Sequence, residues 1–285
     1  MNRLLRRAAG AACWPLLAVA AGAHGALAVL AVAEYATLGW LFGTRFDLAA
    51  VTLVLASALA GLAASGALAA QAAGGSRKLR RLVESGRRPL PPPVRDVVAG
   101  LGLTGRTDAI HASEAFAVTY GLARPRILVS DSLAAALDPS ELAAVLAHER
   151  CHLRHRDPLR LLAARLLAAY GCYLPAARWL AGRVALRREL AADRAAAARA
   201  GRGVLAGTLL KLAALPACPA VAAANPAGEA AASLEARVAQ LENGNPPRQR
   251  LARGRIMASA GCLALLAAAG VCCVGLSQAL PGGVL

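Results

Sequence analysis

The chain has 285 residues, enough for one or two ordinary domains, and 58% of them are hydrophobic, with a mean hydropathy of +0.50, which excludes a typical soluble domain. The net charge of +16 comes almost wholly from arginine. Such a charge suits nucleic acid, but in so apolar a chain it marks the cytoplasmic flanks of membrane helices, and 4% aromatic residues leave little for base stacking, so no direct nucleic-acid binding is expected.

Arg3, Arg6 and Arg7 precede an apolar run from Ala11 to Phe42, broken only by His24 and Glu34. The run is too long for the core of a signal peptide and a second follows at once, so it reads as a membrane anchor. His24 and Glu34 are costly against lipid and are expected to face another helix or an interface. After the short loop GTRFD at 43–47, Leu48 to Ala73 carries no charge over roughly 26 residues, enough to span the hydrocarbon layer. The basic, proline-rich stretch GGSRKLRRLVESGRRPLPPPVR comes next. A third uncharged run, Ile256 to Leu280, follows Arg248, Arg250, Arg253 and Arg255. By the positive-inside rule the N-terminus and residues 75–255 lie in the cytoplasm, with the loop at 43–47 and the tail outside. The expected organisation is two membrane helices in 1–75, a cytoplasmic domain over 76–255, and a third membrane helix in 256–285. The seven cysteines lack paired CxxC motifs and read as small packing residues.

The middle segment reads as a small α+β domain. PVRDVVAGLGL looks helical, and TDAIHAS, AFAVTYGL and RILVSD look like short strands, with LARP turning between the last two. A helix then starts clearly: Asp138 at the N-cap, Pro139 after it and Glu141 at capping-box spacing. It should stop at Asp157-Pro158, where Asp157 can cap the next helix. A later amphipathic helix, about 227–242, reads as packing.

The long helix carries the chemistry. His148, Glu149 and His152 form HExxH. Four residues advance a helix by about 40° and about 6 Å, so both imidazoles can reach one zinc ion, while Glu149 can take a proton from a water the metal activates. The competing reading is a basic surface helix, which Arg150, Arg154 and Arg156 would suit. His155 lies about 10 Å along the axis from His148 and is expected at the surface. His111, in the first strand, reads as packing or substrate contact. Glu189 and Asp193, four apart in RRELAADRAAA, supply the better third ligand: a carboxylate from a second helix completes a His2Glu site and leaves one position for water, and Asp193 can fix the tautomer of a ligand histidine. The alternative for Asp193 is a surface pair with a neighbouring arginine.

If His148, His152 and Glu189 share one metal, the apolar segment 158–186 cannot cross the membrane once. Arg160, Arg165, Arg178 and Arg183 are spread along it, and YGCYLP has the glycine and proline of a turn. The expectation is a helical hairpin, about 158–171 and 175–198, on the cytoplasmic interface, with Tyr170, Tyr173 and Trp179 as interfacial anchors or as packing between its helices.

The run YGLARPRILVSDSLAAALDPSELAAVLAHERCHLRHRDPLRLLAARLL, followed by YLPAARWLAGRVALRRELAADRA, resembles the BlaR/MecR family of membrane zinc peptidases, gluzincins related to HtpX-like proteases. The resemblance covers roughly residues 105–200. It implies a mainly α integral membrane protein with a small α+β zinc peptidase domain, His148, His152 and Glu189 as ligands of one zinc ion, and Glu149 as catalytic base. It also implies a cell-membrane location with the site facing the cytoplasm, membrane lipid around the spans, and a protein substrate, which is a transcriptional repressor in members with a known trigger. Those members carry an extracellular sensor after the last span, and only about five residues follow Leu280 here, so no sensor is expected. The resulting expectation is an endopeptidase in regulated proteolysis, its substrate extended along an edge strand, AFAVTYGL. The alternatives are HtpX-like quality control of membrane proteins, or a membrane signalling protein with a structural zinc site closed by a fourth ligand.

Overall fold

A computed structural model describes residues 48–216, 218, 230–244 and 251–278, with Gly22 and Ala26 before them. The first apolar run with His24 and Glu34, the 43–47 loop and the C-terminal tail lie outside the described residues. The chain divides into two compact units: 1–69, 164–181 and 250–285 in one, 70–163 and 182–249 in the other.

The helices of the first unit are α1 (Leu48–Gly86) up to residue 69, the end of α5 (Asp157–Tyr170), the start of α6 (Pro175–Ala200), and α9 (Arg253–Gln278). Among the described residues one helix, Val51–Gly86, is long and apolar enough to cross a membrane. Small residues let its neighbours come close. A Cβ at Gly61 would lie 2.5 Å from the Tyr170 carbonyl oxygen, and Ser65 Oγ donates to the Leu166 carbonyl at 3.2 Å. Val51, Val54 and Ala58 pack with Ala269, and the Ala176 N–H donates to Ser259 Oγ at 3.0 Å. The break between α5 and α6 falls at residues 171–174, where the Leu174 N–H returns to the Gly171 carbonyl, and Ala168, Leu174 and Ala177 close over it.

The second unit holds a four-stranded sheet. Its strands are β1 (Arg87–Arg88), β2 (Thr107–Ile110), β3 (Ala117–Tyr120) and β4 (Arg126–Ser130), in the order β1-β2-β4-β3. β2 runs parallel to β4, while β1 and β3 are antiparallel to their neighbours, so β3 is an edge among the described residues. Alternation along β4 sends Ile127 and Val129 to one face and Leu128 to the other. The first face packs against Val94 and Val98 of α2 (Pro92–Gly100), Leu133 of α3 (Asp131–Ala136), and Leu142, Leu146 and Leu153 of α4 (Pro139–His155). The second meets Leu79 and Val83 near the end of α1. α7 (Arg202–Ala214) brings Leu205 to Ala144, Ala147 and Ala196. α8 (Ala230–Asn243) lays Ala236 on Leu186 and Leu190 of α6.

The expected capping box is present: Asp138 accepts from the Ser140 and Glu141 N–H groups, and Glu141 accepts from the Asp138 N–H. The end of α4 differs from the expectation. Arg156, with φ 51° and ψ 45°, closes the helix in the left-handed conformation, two residues before the proline. Asp157 is then the first residue of α5, and its side chain turns inward.

Candidate metal centre

The capping box fixes the start of α4, so its register sets which side chains face inward. His148 and His152 lie one turn apart on the side facing α6, with Nε2 atoms 3.1 Å from each other. Glu189 of α6 completes the group: Oε2 is 3.5 Å from His148 Nε2, and Oε1 is 3.5 Å from His152 Nε2. One ligand atom from each residue can be chosen so that all lie within 4.8 Å of one another.

This donor set fits zinc. With bonds of about 2.1 Å, ligand atoms of a tetrahedral site stand about 3.4 Å apart, close to the separations above. Each histidine has a carboxylate at Nδ1, which leaves Nε2 as the free lone pair. His152 Nδ1 is 2.9 Å from Asp157 Oδ2, and His148 Nδ1 is 3.0 Å from Asp193 Oδ1. The second contact is close but poorly aligned, and no straight hydrogen bond reaches His148 Nδ1. The carboxylates are themselves held by arginines. Arg188 Nε lies 2.7 Å from Asp157 Oδ1, again out of line, while Arg237 of α8 grips Asp193 with Nε at 2.6 Å and Nη2 at 2.7 Å.

Charge in this buried cluster is balanced by contact. Burial works against a charged His148, but Asp193 and then Glu189 outweigh it and push the imidazole up to about 9. Burial would raise both acids. Contact with His148, then the charges of His148, His152 and Arg237, hold Glu189 down at about 2; His148 and Arg237 do the same for Asp193.

Glu149 follows the first histidine on α4. Its carboxylate Oε2 accepts from Thr119 Oγ1 of β3 at 2.8 Å, and the same hydroxyl lies 3.0 Å from the Glu149 carbonyl. The edge strand and the helix are therefore joined at this residue.

The structure thus brings His148, His152, Glu189 and Asp193 together, with Glu149 next to His148 in sequence. His155 lies outside the cluster, exposed, with Nδ1 2.8 Å from the Cys151 carbonyl. The Cys151 thiol also faces His155 and is not in the group. His111 is exposed beyond the end of β2 and pairs with Asp131, so it is not packing. Sequence reasoning missed three residues. In the sequence Asp157 reads only as a cap, Arg188 carries no signal beyond its place beside Glu189, and Arg237 lies on a helix that reads as packing. A helix whose polar face carries an arginine flanked by Ala236 and Gln240, both nearly fully buried, is the signal that could have found the last.

The class defined here is a metal-ready centre of two histidines and a carboxylate, carried by two helices over a small mixed sheet. Residues 110–241 match the family model described as BlaR1 peptidase M56, so this part of the chain is similar to peptidases of that family. No curated protein matches the chain.

Proposed function

We propose that the chain is a membrane-anchored zinc endopeptidase that cleaves a cytoplasmic or membrane protein at the cytoplasmic face, in regulated proteolysis. The observation that carries this reading is the spacing of the His148, His152 and Glu189 ligand atoms, with Glu149 beside the first of them. Among the described residues the group has three members, which supports a centre with a position left for reaction rather than a closed structural site.

When bound, zinc supplies a Lewis acid that polarises the scissile carbonyl and acidifies a water. Glu149 takes the proton of the attacking water and returns it to the leaving nitrogen. Thr119 holds the Glu149 carboxylate by its hydroxyl while that transfer occurs. Asp193 and Asp157 keep the histidines turned with Nε2 toward the metal. The substrate adds as a further strand on the free edge of β3, whose Thr119 ties that edge to the base.

The test is Glu149→Ala in the full chain. Zinc content should stay at one equivalent, while cleavage falls by about 10²–10⁴-fold. Near-normal turnover of the purified variant would overturn the enzyme reading. Comparing the proteomes of cells carrying the wild type and this variant would reveal the substrate as a protein whose fragments appear only with the wild type. Reporter fusions should place the N-terminus and residues 76–90 in the cytoplasm and residue 285 outside; a cytoplasmic residue 285 would overturn the three-span arrangement.

A further inference from the structure

Arg237 is the only arginine among the described residues whose ion pairs reach both a ligand of the centre and the carboxylate behind another. Its Nε and Nη2 form a fork on Asp193, and Nη1 lies 3.6 Å from Glu189 Oε2. Asp193 is wholly buried, and its remaining contact is His148. A histidine holding a metal is neutral, so Arg237 is then the full positive charge facing that buried carboxylate. Among the described residues Arg188, by contrast, forms an ion pair with Asp157 only.

The helix that carries Arg237 is docked by polar as well as apolar contacts. Gln240 Nε2 donates to the Leu190 carbonyl at 2.9 Å, its Oε1 accepts from Arg194 Nη1 at 2.9 Å, and Ala236 packs on Leu186 and Leu190. Gln240 therefore fixes α8 to α6 without touching Glu189 or Asp193. The helix is held in register, and the fork points at the carboxylates four residues apart on α6.

We infer that Arg237 is a positioning residue of the metal centre: it locks Asp193 against His148, restrains Oε2 of Glu189, and so makes α8 a required part of the site. This rests on the reading of His148, His152 and Glu189 as metal ligands. A planar fork with two parallel bonds does what a lysine cannot, because an ammonium offers a point charge without a fixed plane.

The experiment compares the full chain in detergent as wild type, Arg237→Gln, Arg237→Lys, Gln240→Leu, Asp193→Asn and the double variant Asp193→Asn/Arg237→Gln. Zinc affinity is read by competition with a chelator, and ligand geometry by the visible spectrum of the cobalt-substituted protein. Arg237→Gln and Arg237→Lys should each lose about 10–100-fold in zinc affinity and shift the cobalt bands, as expected when an outer-shell partner is removed. Gln240→Leu, which loosens the dock but leaves the fork itself, should lose less affinity and shift the cobalt bands less than either Arg237 variant. Arg237→Gln should add little in the Asp193→Asn background, because the arginine acts through that carboxylate. Wild-type affinity in both Arg237 variants would overturn the inference, and so would full rescue by lysine or an equal loss in Gln240→Leu, which would make Arg237 a charge or a docking contact only. A wild type that binds no zinc, or His148→Ala that binds it normally, would overturn the metal centre itself and the inference with it.

Discussion

Thr119 of the edge strand donates its hydroxyl to the carboxylate of Glu149 on α4, at 2.8 Å. One hydrogen bond thus connects the strand on which a substrate is proposed to lie with the proposed base. Thr119→Val should keep the fold and the zinc content, because the isostere preserves β-branching, and should lower kcat by about tenfold, the usual worth of a hydrogen bond to a charged group. Thr119→Ser should recover most of the loss. An unchanged kcat in the valine variant would remove Thr119 from the mechanism.

The register of the edge decides how substrate pairing is tested. The Ser130 N–H donates to the Phe116 carbonyl. By antiparallel alternation the Val118↔Leu128 pair also bonds inward, and the N–H groups of Ala117 and Thr119 face the open edge. Ala117→Pro should therefore abolish peptide cleavage with zinc retained, since proline is tolerated where the N–H points outward. Val118→Pro removes a bond of the sheet itself and a buried side chain, so its main effect should be lost stability. Full cleavage by Ala117→Pro would remove the edge as the substrate site.

Asp157 stands behind His152 as Asp193 stands behind His148. Asp157→Ala should weaken zinc binding by about 10–100-fold, measured by chelator competition, and lower the thermal midpoint because Arg188 loses its partner. Unchanged zinc affinity would reduce Asp157 to a helix-start residue.

Asp108 is the buried acid of the sheet, taken by Arg126, Tyr120 and Arg87. Burial alone would raise its pKa, but the bonds from Arg126, Tyr120 and Arg87 hold it at about 2 instead of 3.8. A carboxyl whose folded pKa is depressed contributes stability that is complete above the unfolded value and is lost as pH falls through the folded one. Asp108→Asn should thus cost about 2–3 kcal/mol at neutral pH, and the gap between variant and wild type should close as pH falls from about 4 to about 2. A pH-independent gap in chemical denaturation would contradict this.

The readable parts of the sequence were those where one local signal sufficed. Asp138, Pro139 and Glu141 announce a helix start, and the four-residue spacing of His148 and His152 needs only helical geometry. The alternation in RILVS gives β4, because Ile127 and Val129 meet one layer and Leu128 the other. Elsewhere a stronger local pattern masked the structure. β1 is two arginines inside a basic run, and it is a strand only because β2 lies beside it. Arg156 takes a left-handed conformation that no arginine advertises. Asp157 sits before a proline, so its capping role hid its turn toward His152. Arg237 is far from HExxH, and no spacing rule links it to Asp193; tertiary packing alone does so.

The proposed zinc ligands are complete in sequence at Glu189, but the arginine inferred to lock them arrives at residue 237, on the helix just before the last apolar run. A chain still emerging from the ribosome therefore holds all three ligands for a time without the group that orients them. By this reading tight zinc binding comes only once α8 has been made and has docked on α6, after the proposed ligands are already in place.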